Sequence, residues 1–322
     1  MTLEIVLNEL SLKNPATDIN TARDWISNLI ITLRAVKKTS KSITLRTQYN
    51  LHNTLLAEGY PVSRWFNDKE VDREERRFLR NLATKSPFSQ DIIDTEIKEV
   101  EENTATSEFY HEGELAIGLG VAYLLDALSI SLLSEEKWNF SCLSLQITRI
   151  EENEELVDEA IELLHVSCSN HVIEHTDWIQ NCIKIEIRDG TELWNLKEEL
   201  FPHLEFCDAV QKQFHKIKRG QIQFKLVKEA LIQLNYCCQN WTTGVFSTKG
   251  YSIEVSGESK PTLQKYRKER TFRCPDDQDR LFEQHIKLKV CDWRIHFFPQ
   301  KQGEKIIVGY VGRHLPTLNY PT

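Results

Sequence analysis

The strongest constraint on the fold is a strict alternation of apolar and polar residues near the C-terminus. Over residues 281–289 apolar and polar side chains take alternate positions. The apolar set is Phe282, Ile286 and Leu288, and the polar set is Glu283, His285, Lys287 and Lys289. Residues 293–298 alternate in the same way, and residues 305–312 form a run rich in β-branched side chains. A repeat of two residues is the period of a β-strand. The pattern therefore predicts a small antiparallel β-meander within residues 270–322.

One face of this meander is predicted to be cationic. The alternation places five basic or imidazole side chains on that face and two at its rim: His285, Lys287, Lys289, Arg294 and His296, then Arg313 and His314. Histidine transfers protons near neutral pH, while lysine and arginine stabilise phosphate charge. The candidate catalytic residues are therefore His285, Lys287, Arg294, His296, Arg313 and His314, with His285 or His314 as the acid or base. Further candidates for contacts with nucleic acid are Lys289, Arg273, Lys305 and Tyr320.

The distribution of charge favours an anionic partner for the same end of the chain. Residues 1–200 contain 20 Lys and Arg against 36 Asp and Glu, whereas residues 201–322 contain 20 against 12. The net charges are therefore −16 and +8, within a total of −8. A clustered positive field attracts polyanions. The predicted partner is nucleic acid, with RNA favoured; an acidic protein, or intramolecular masking by the acidic half, stays open.

The last fifty residues resemble a known family. The segments 294–297 (RIHF) and 305–314 (KIIVGYVGRH), with the late Tyr320, are similar to the closing strands of RelE/ParE-type toxins, which include ribosome-dependent mRNA endonucleases. The resemblance implies a compact helical hairpin before these strands, whereas residues 271–279 have the composition of a strand and a turn. It also implies roles in activating the nucleophile or stabilising the phosphate, which fall on Lys287, Arg294, Arg313 and Tyr320.

These observations predict a nucleic-acid-acting effector, most simply a toxin-like or antiviral-defence endoribonuclease that needs no metal or other cofactor. The alternative is a non-enzymatic subunit that binds nucleic acid or protein within a larger bacterial assembly. A second nuclease pattern, Pro275-Asp276 followed by His285-Ile286-Lys287, resembles the PD-(D/E)xK metal nucleases. In this chain His285 stands at the position where those enzymes have a second carboxylate to hold Mg²⁺, an ion that prefers oxygen ligands.

The predicted fold class is mixed α/β, with a helical N-terminal region, a mixed middle and the C-terminal meander. The regions are residues 1–95, 110–200 and 201–322, and a carboxylate-rich stretch at 91–114 separates the first two. Apolar spacing predicts helices over 21–38, 68–83 and 115–133, the last of them buried. Strands are predicted over 140–150, 156–168 and 182–188, and helices again within 192–239.

Cysteine usage and the N-terminal sequence predict a cytoplasmic protein. The eight cysteines follow no CxxC spacing, and Met1 opens no signal-peptide pattern. Asp126 inside the apolar run 115–133 argues against a membrane span. A weak alternative metal site is the dense set His165, Cys168, His171 and His175, whose side chains could bind zinc if they met. Three glycines at 113, 118 and 120 lack the lysine of a P-loop, and close helix packing is the simpler explanation of this pattern.

Overall fold

The computed structural model describes residues 2–85, 107–150, 156–184, 187, 189–242, 244–300 and 305–318. The chain divides into two compact units, Met1–Glu186 and Ile187–Thr322. The first unit has 18 Lys and Arg against 32 Asp and Glu, and the second has 22 against 16. Their net charges are thus −14 and +6, so the charge difference seen in the sequence coincides with two separately packed bodies.

The N-terminal unit is built on one mixed sheet. The strands of the unit are β1 (Leu3–Leu7), β2 (Ile43–Arg46), β3 (Leu55–Ala57), β4 (Tyr60–Pro61), β5 (Ala83–Lys85), β6 (Ser107–His111), β7 (Glu114–Leu115), β8 (Leu128–Ile130), β9 (Cys142–Ile150) and β10 (Leu156–Val166). The sheet order is β5-β2-β1-β8-β10-β9-β6-β7, while β3 and β4 form a separate hairpin. The first five of these strands are parallel, and the last three pair antiparallel. The hairpin of β9 and β10 confirms both strands predicted there.

The helices of this unit are α1 (Ile19–Ser40), α2 (Val62–Trp65), α3 (Arg73–Asn81), α4 (Ile117–Leu124), α5 (Ser169–Glu174) and α6 (Thr176–Lys184). The first confirms the helix predicted over 21–38. Its apolar face, which includes Ile26, Leu29 and Leu33, is buried in the core of the unit. The cap is Asp18, whose carboxylate accepts hydrogen bonds from the backbone N–H groups of Asn20 and Thr21.

A buried tyrosine holds one carboxylate of this unit in its charged form. The Tyr60 hydroxyl donates to Asp68 Oδ2 at 2.5 Å, and Arg23 Nη2 donates to the same oxygen at 2.8 Å. The hydrogen bond from Tyr60, followed by those from Arg23, lowers the pKa of Asp68 from 3.8 to about 2. Because the folded-state pKa is depressed, this stabilisation is present above pH 3.8 and is lost as the pH falls toward about 2.

We expect Tyr60→Phe to lower the free energy of unfolding by about 1.5 kcal/mol at neutral pH, since a hydrogen bond to a charged group is lost. The difference from wild type should shrink as Asp68 becomes protonated below pH 3.8. Urea unfolding followed by tryptophan fluorescence measures both quantities. The exposed Tyr49 supplies the control Tyr49→Phe. Equal destabilisation by both variants, or a constant difference across the acidic range, would contradict this assignment.

Two predictions for this unit were wrong. The apolar run 115–133 forms helix α4 and strand β8, because Asp126 adopts a left-handed conformation (φ 53°) and ends the helix. Ala127 N–H then bonds to Ala122 O at 2.9 Å, as in a helix C-cap. The alternating residues 182–188 were predicted as a strand, but Cys182, Ile183 and Lys184 are the last residues of helix α6. Three alternations are too few to distinguish a strand from the end of a helix that packs on a core.

The glycines of helix α4 allow close packing, as expected. A Cβ at Gly118 would collide with the Glu9 carboxylate, and one at Gly120 would lie 2.5 Å from the nearest atom of the Phe109 ring. Gly118 N–H also donates to Glu9 Oε2 at 2.8 Å. These two positions therefore bring the helix against its neighbours and do not form a phosphate loop.

The C-terminal unit contains β11 (Leu204–Phe206), β12 (Val255–Gly257), β13 (Thr271–Arg273), β14 (Asp279–Leu281), β15 (Gln284–Leu288), β16 (Trp293–Gln300) and β17 (Lys305–Arg313). Its helices are α7 (Gly190–Asn195), α8 (Lys197–Leu200), α9 (Asp208–Phe214), α10 (Ile222–Gln239) and α11 (Lys260–Lys265). The five-stranded sheet has the order β11-β17-β16-β15-β12, and β13 and β14 form a hairpin. The predicted antiparallel meander is confirmed as β15, β16 and β17, and the mixed α/β fold class is confirmed with it.

Each face of the meander has a different covering. Ile286, Ile295 and Phe297 belong to a hydrophobic core that also includes Val227 and Leu231 of helix α10. On the other face the hairpin of β13 and β14 packs against β17: Phe272 stacks on Tyr310 with ring centroids 6.1 Å apart. A Cβ at Gly309 would lie 2.6 Å from the Phe272 ring. The face predicted to be cationic is therefore partly covered.

Some predictions lie outside the described residues. These are the carboxylate-rich stretch at 91–106, the turn at 151–155, part of the loop after Pro299, and Tyr320. No helix in the described part of the chain is long and apolar enough to cross a bilayer.

Candidate nucleic-acid site and buried histidine cluster

Strand register brings most of the predicted site residues together. His285 pairs with His296 across β15 and β16, and His296 pairs with Tyr310 across β16 and β17. Two residues further along, Lys287 pairs with Arg294. His314 follows β17, and its backbone N–H donates to Asp292 O at 3.1 Å. The alternation read from the sequence thus corresponds to one face with two layers of polar residues.

The deeper layer is a buried group that we call the inner cluster: Glu258, Arg270, His285 and His296. Arg270 and His296 are 0% and 1% exposed, and His285 is 5% exposed. Arg270 Nε lies 2.9 Å from Glu258 Oε1, and His285 Nδ1 lies 3.6 Å from the same oxygen. The imidazole rings of His285 and His296 are 5.1 Å apart.

Burial keeps the imidazoles of the inner cluster neutral. Removal from water lowers the pKa of His285 to about 4, with Arg294 as the next largest cause. Burial also lowers the pKa of His296 well below its usual value. Both effects disfavour the charged imidazolium, because desolvation and nearby positive charges act in the same direction.

The shallower layer, which we call the outer rim, consists of Lys287, Asp292, Arg294 and His314. Lys287 Nζ lies 3.6 Å from Glu254 Oε1, and Arg294 Nη2 lies 3.1 Å from Asp292 Oδ1. His314 is partly exposed. Partial burial and then the charge of Arg294 lower its pKa. The rim therefore combines two cations with an imidazole that is unprotonated at neutral pH.

The other predicted residues lie outside these two layers. Arg313 is exposed at the end of β17, next to the rim. Lys305 begins the same strand about 25 Å away at 3.3 Å per residue, and it pairs with Glu205 at 3.1 Å. Arg273 is exposed on the hairpin near Asp277 and Asp279. Lys289 lies in the short 3₁₀ turn after β15 and not in the strand.

Sequence reasoning missed two members of the inner cluster. Glu258 follows the edge strand β12, and Arg270 precedes β13, so both come from the segment between helix α10 and the meander. Arg270 stands in a basic stretch, Lys265–Arg270, which was a weak signal. No sequence pattern around Glu258 identifies it, because its partners are distant in the chain. Arg270 is 12 positions away, and the two histidines are 27 or more positions away.

The predicted zinc alternative in the N-terminal unit is not supported by the geometry. His165 uses both ring nitrogens, with Phe140 O at 2.6 Å and Ser131 Oγ at 2.7 Å. His175 Nε2 contacts Ser141 O at 2.7 Å, and Ser167 N–H donates to His171 Nδ1 at 3.3 Å. Since these nitrogens are engaged separately, the side chains, with Cys168, do not converge on a common point.

The PD-(D/E)xK reading also lacks its geometry. Asp276 binds the Arg280 guanidinium through both carboxylate oxygens, at 2.6 and 2.5 Å, and Arg280 lowers the pKa of Asp276 to about 2. This carboxylate therefore stabilises the turn of the β13–β14 hairpin. Within the described residues, the acidic group beside His285 is Glu258.

Comparisons with protein-family models, with curated proteins and with solved structures found no match for this chain.

Proposed function

We propose that this protein is an RNA-cleaving effector of the toxin or defence type, whose C-terminal unit binds single-stranded RNA and cleaves it at the outer rim. The observation that carries the proposal is the convergence of Lys287, Arg294 and His314 at one end of the meander. All three lie on a unit with a net charge of +6. Between helix α10 and β15 the chain forms β12, α11 and the hairpin of β13 and β14, where the RelE/ParE resemblance implies a compact helical hairpin.

The proposed reaction needs no metal ion in the chemical step. Neutral His314 accepts the proton of a ribose 2′-hydroxyl, and the 2′-oxygen then bonds to phosphorus. The bond from phosphorus to the 5′-oxygen breaks, and Lys287 donates the proton that this oxygen takes up. Arg294 stabilises the charge on the phosphorane between these steps. The products are a 2′,3′-cyclic phosphate and a 5′-hydroxyl.

In this proposal the buried histidines do not contact RNA. His285 and His296 lie beneath the rim, where substrate atoms do not reach them. Burial first, and then the positive charges of Arg294 and Arg270, lower the pKa of His314. We therefore place proton transfer at His314, the more exposed of the two histidines considered from the sequence.

We expect His314→Ala to lower the cleavage rate of a single-stranded RNA oligonucleotide by about 100-fold or more, since a positioned proton acceptor is lost. The assay uses the full chain with EDTA present and detects the cyclic phosphate. His215, an exposed histidine on the same unit, supplies the control His215→Ala. An oligonucleotide with 2′-deoxyribose at the cleavage site should stay intact, because it has no nucleophile.

Two results would argue against cleavage at this site. Equal activity in His314→Ala and wild type would remove His314 from the reaction. Intact RNA bound with an affinity that falls steeply with salt, by about 0.7 in log K per phosphate neutralised for each log unit of salt, would instead favour the non-enzymatic binding subunit.

A further inference from the structure

The inner cluster contains two imidazole nitrogens that have no hydrogen-bond partner in the described structure. They are Nδ1 of His285 and Nδ1 of His296, and both are buried. An unsatisfied buried polar atom has lost its hydrogen bonds to water without replacement, so such atoms are rare in proteins. Two of them on adjacent strands, beside one carboxylate, point to a ligand that this cluster is built to hold.

The protonation of His296 identifies the kind of ligand. A hydrogen bond joins its ring to the backbone carbonyl of Phe282. A carbonyl only accepts, so the ring nitrogen that faces it carries the proton. Because Nδ1 has no hydrogen-bond partner, that nitrogen is Nε2, and Nδ1 holds a buried lone pair that accepts no hydrogen bond. This arrangement, one N–H on a backbone carbonyl and one free lone pair, is the usual state of a metal-binding histidine.

The neighbouring groups complete a set of three donors. Glu258, His285 and His296 each offer one ligand atom, and these atoms all lie within 4.8 Å of one another. Ligands bound to zinc at about 2.0–2.1 Å lie about 3.3 Å apart in a tetrahedron. Small side-chain rotations would close that difference. Two imidazoles and a carboxylate suit zinc and similar divalent transition metals, whereas Mg²⁺ prefers oxygen ligands throughout.

Arg270 is the feature that opposes a cation here. Its guanidinium contacts Oε1 of Glu258, which leaves Oε2 for an ion, and a group that orients a ligating carboxylate in this way is common around metal sites. Its positive charge lowers the affinity for a second cation. We therefore expect a site of moderate affinity.

We propose that Glu258, His285 and His296 bind one divalent transition-metal ion, for which Zn²⁺ is the probe. The site lies beneath the outer rim and is separate from the RNA-cleaving chemistry proposed above. Its role is to join the edge strand β12 to the central strand pair through a buried ion. The inference does not depend on the proposed function, because none of its tests measures RNA cleavage.

The test is the stoichiometry and affinity of Zn²⁺ binding to the full chain, by isothermal titration calorimetry after treatment with a chelator. Wild type should bind one Zn²⁺ and unfold at a higher temperature in its presence, while Mg²⁺ should do neither. Glu258→Gln and His285→Gln should each weaken Zn²⁺ binding by at least about 100-fold. His215→Gln, which changes an exposed histidine of the same unit, should bind as wild type does.

A spectroscopic arm keeps the proposal testable if a buried variant fails to fold. Co²⁺ bound to wild type should give visible d–d bands without the sulfur-to-cobalt charge-transfer band of a thiolate ligand. That charge-transfer band would place the metal on a cysteine and overturn the assignment. So would undiminished binding in folded Glu258→Gln and His285→Gln, or the absence of Zn²⁺ binding at micromolar concentrations.

Discussion

Replacing Gly190 with alanine is expected to destabilise the C-terminal unit by about 3 kcal/mol or more. Gly190 begins helix α7, and its N–H donates to Ile217 O at 2.9 Å. A Cβ there would overlap the Phe214 carbonyl oxygen and lie 2.7 Å from its carbon and 3.1 Å from Ile217 O. These are backbone atoms at the end of helix α9 and just beyond it, so they cannot rotate away as a flexible side chain would.

A second glycine in the same unit supplies the matched control. Gly257, in the edge strand β12, has open space where its Cβ would be. Gly257→Ala should therefore change the free energy of unfolding by no more than about 0.5 kcal/mol. Urea unfolding followed by circular dichroism compares the two variants, and limited proteolysis identifies the unit that opens. A Gly190→Ala chain as stable as Gly257→Ala would show that helix α7 can move away from helix α9.

The second large effect is expected in the N-terminal unit, where Arg46→Met should cost about 3–5 kcal/mol. The Arg46 side chain is 1% exposed, and its Nη2 lies 2.8 Å from Glu4 Oε1 on the adjacent parallel strand. Removing the guanidinium leaves the Glu4 carboxylate without this partner, although the Glu4 side chain is only 10% exposed. The penalty comes mainly from that buried charge and less from the attraction that is lost.

Two comparisons separate this explanation from simple loss of packing. The double variant Glu4→Gln with Arg46→Met should recover a substantial part of the stability, because the Glu4 side chain that loses the guanidinium is then uncharged. Lys13→Met breaks the exposed pair Lys13–Glu114, whose side chains are 60% and 40% exposed, and should cost less than about 1 kcal/mol. Differential scanning calorimetry measures all three variants. A double variant no more stable than Arg46→Met would refute the buried-charge explanation.

Much of the secondary structure could be predicted because the signals are local and long. Helix α1 repeats its apolar face over six turns, and β9, β10 and the meander alternate over enough residues to define their period. Short or irregular hydrophobic patterns were not enough to tell a helix from a strand. Apart from Asp126 and two serines, the run 115–133 is apolar and gives no period that separates a helix from a strand. Residues 182–184 lie at the end of a helix, where the pattern is too short to define a period.

The sequence by itself determined which residues share the polar face of the meander, since alternation along a strand assigns each side chain to one side. It did not determine which of them meet solvent. The hairpin of β13 and β14 folds back over part of that face, and Glu258 and Arg270 enter from distant positions. Only the tertiary structure therefore separates buried, neutral His285 and His296 from the partly exposed Lys287, Arg294 and His314. The physical reason is that burial depends on what packs against a face, and desolvation decides whether an imidazole on it carries charge.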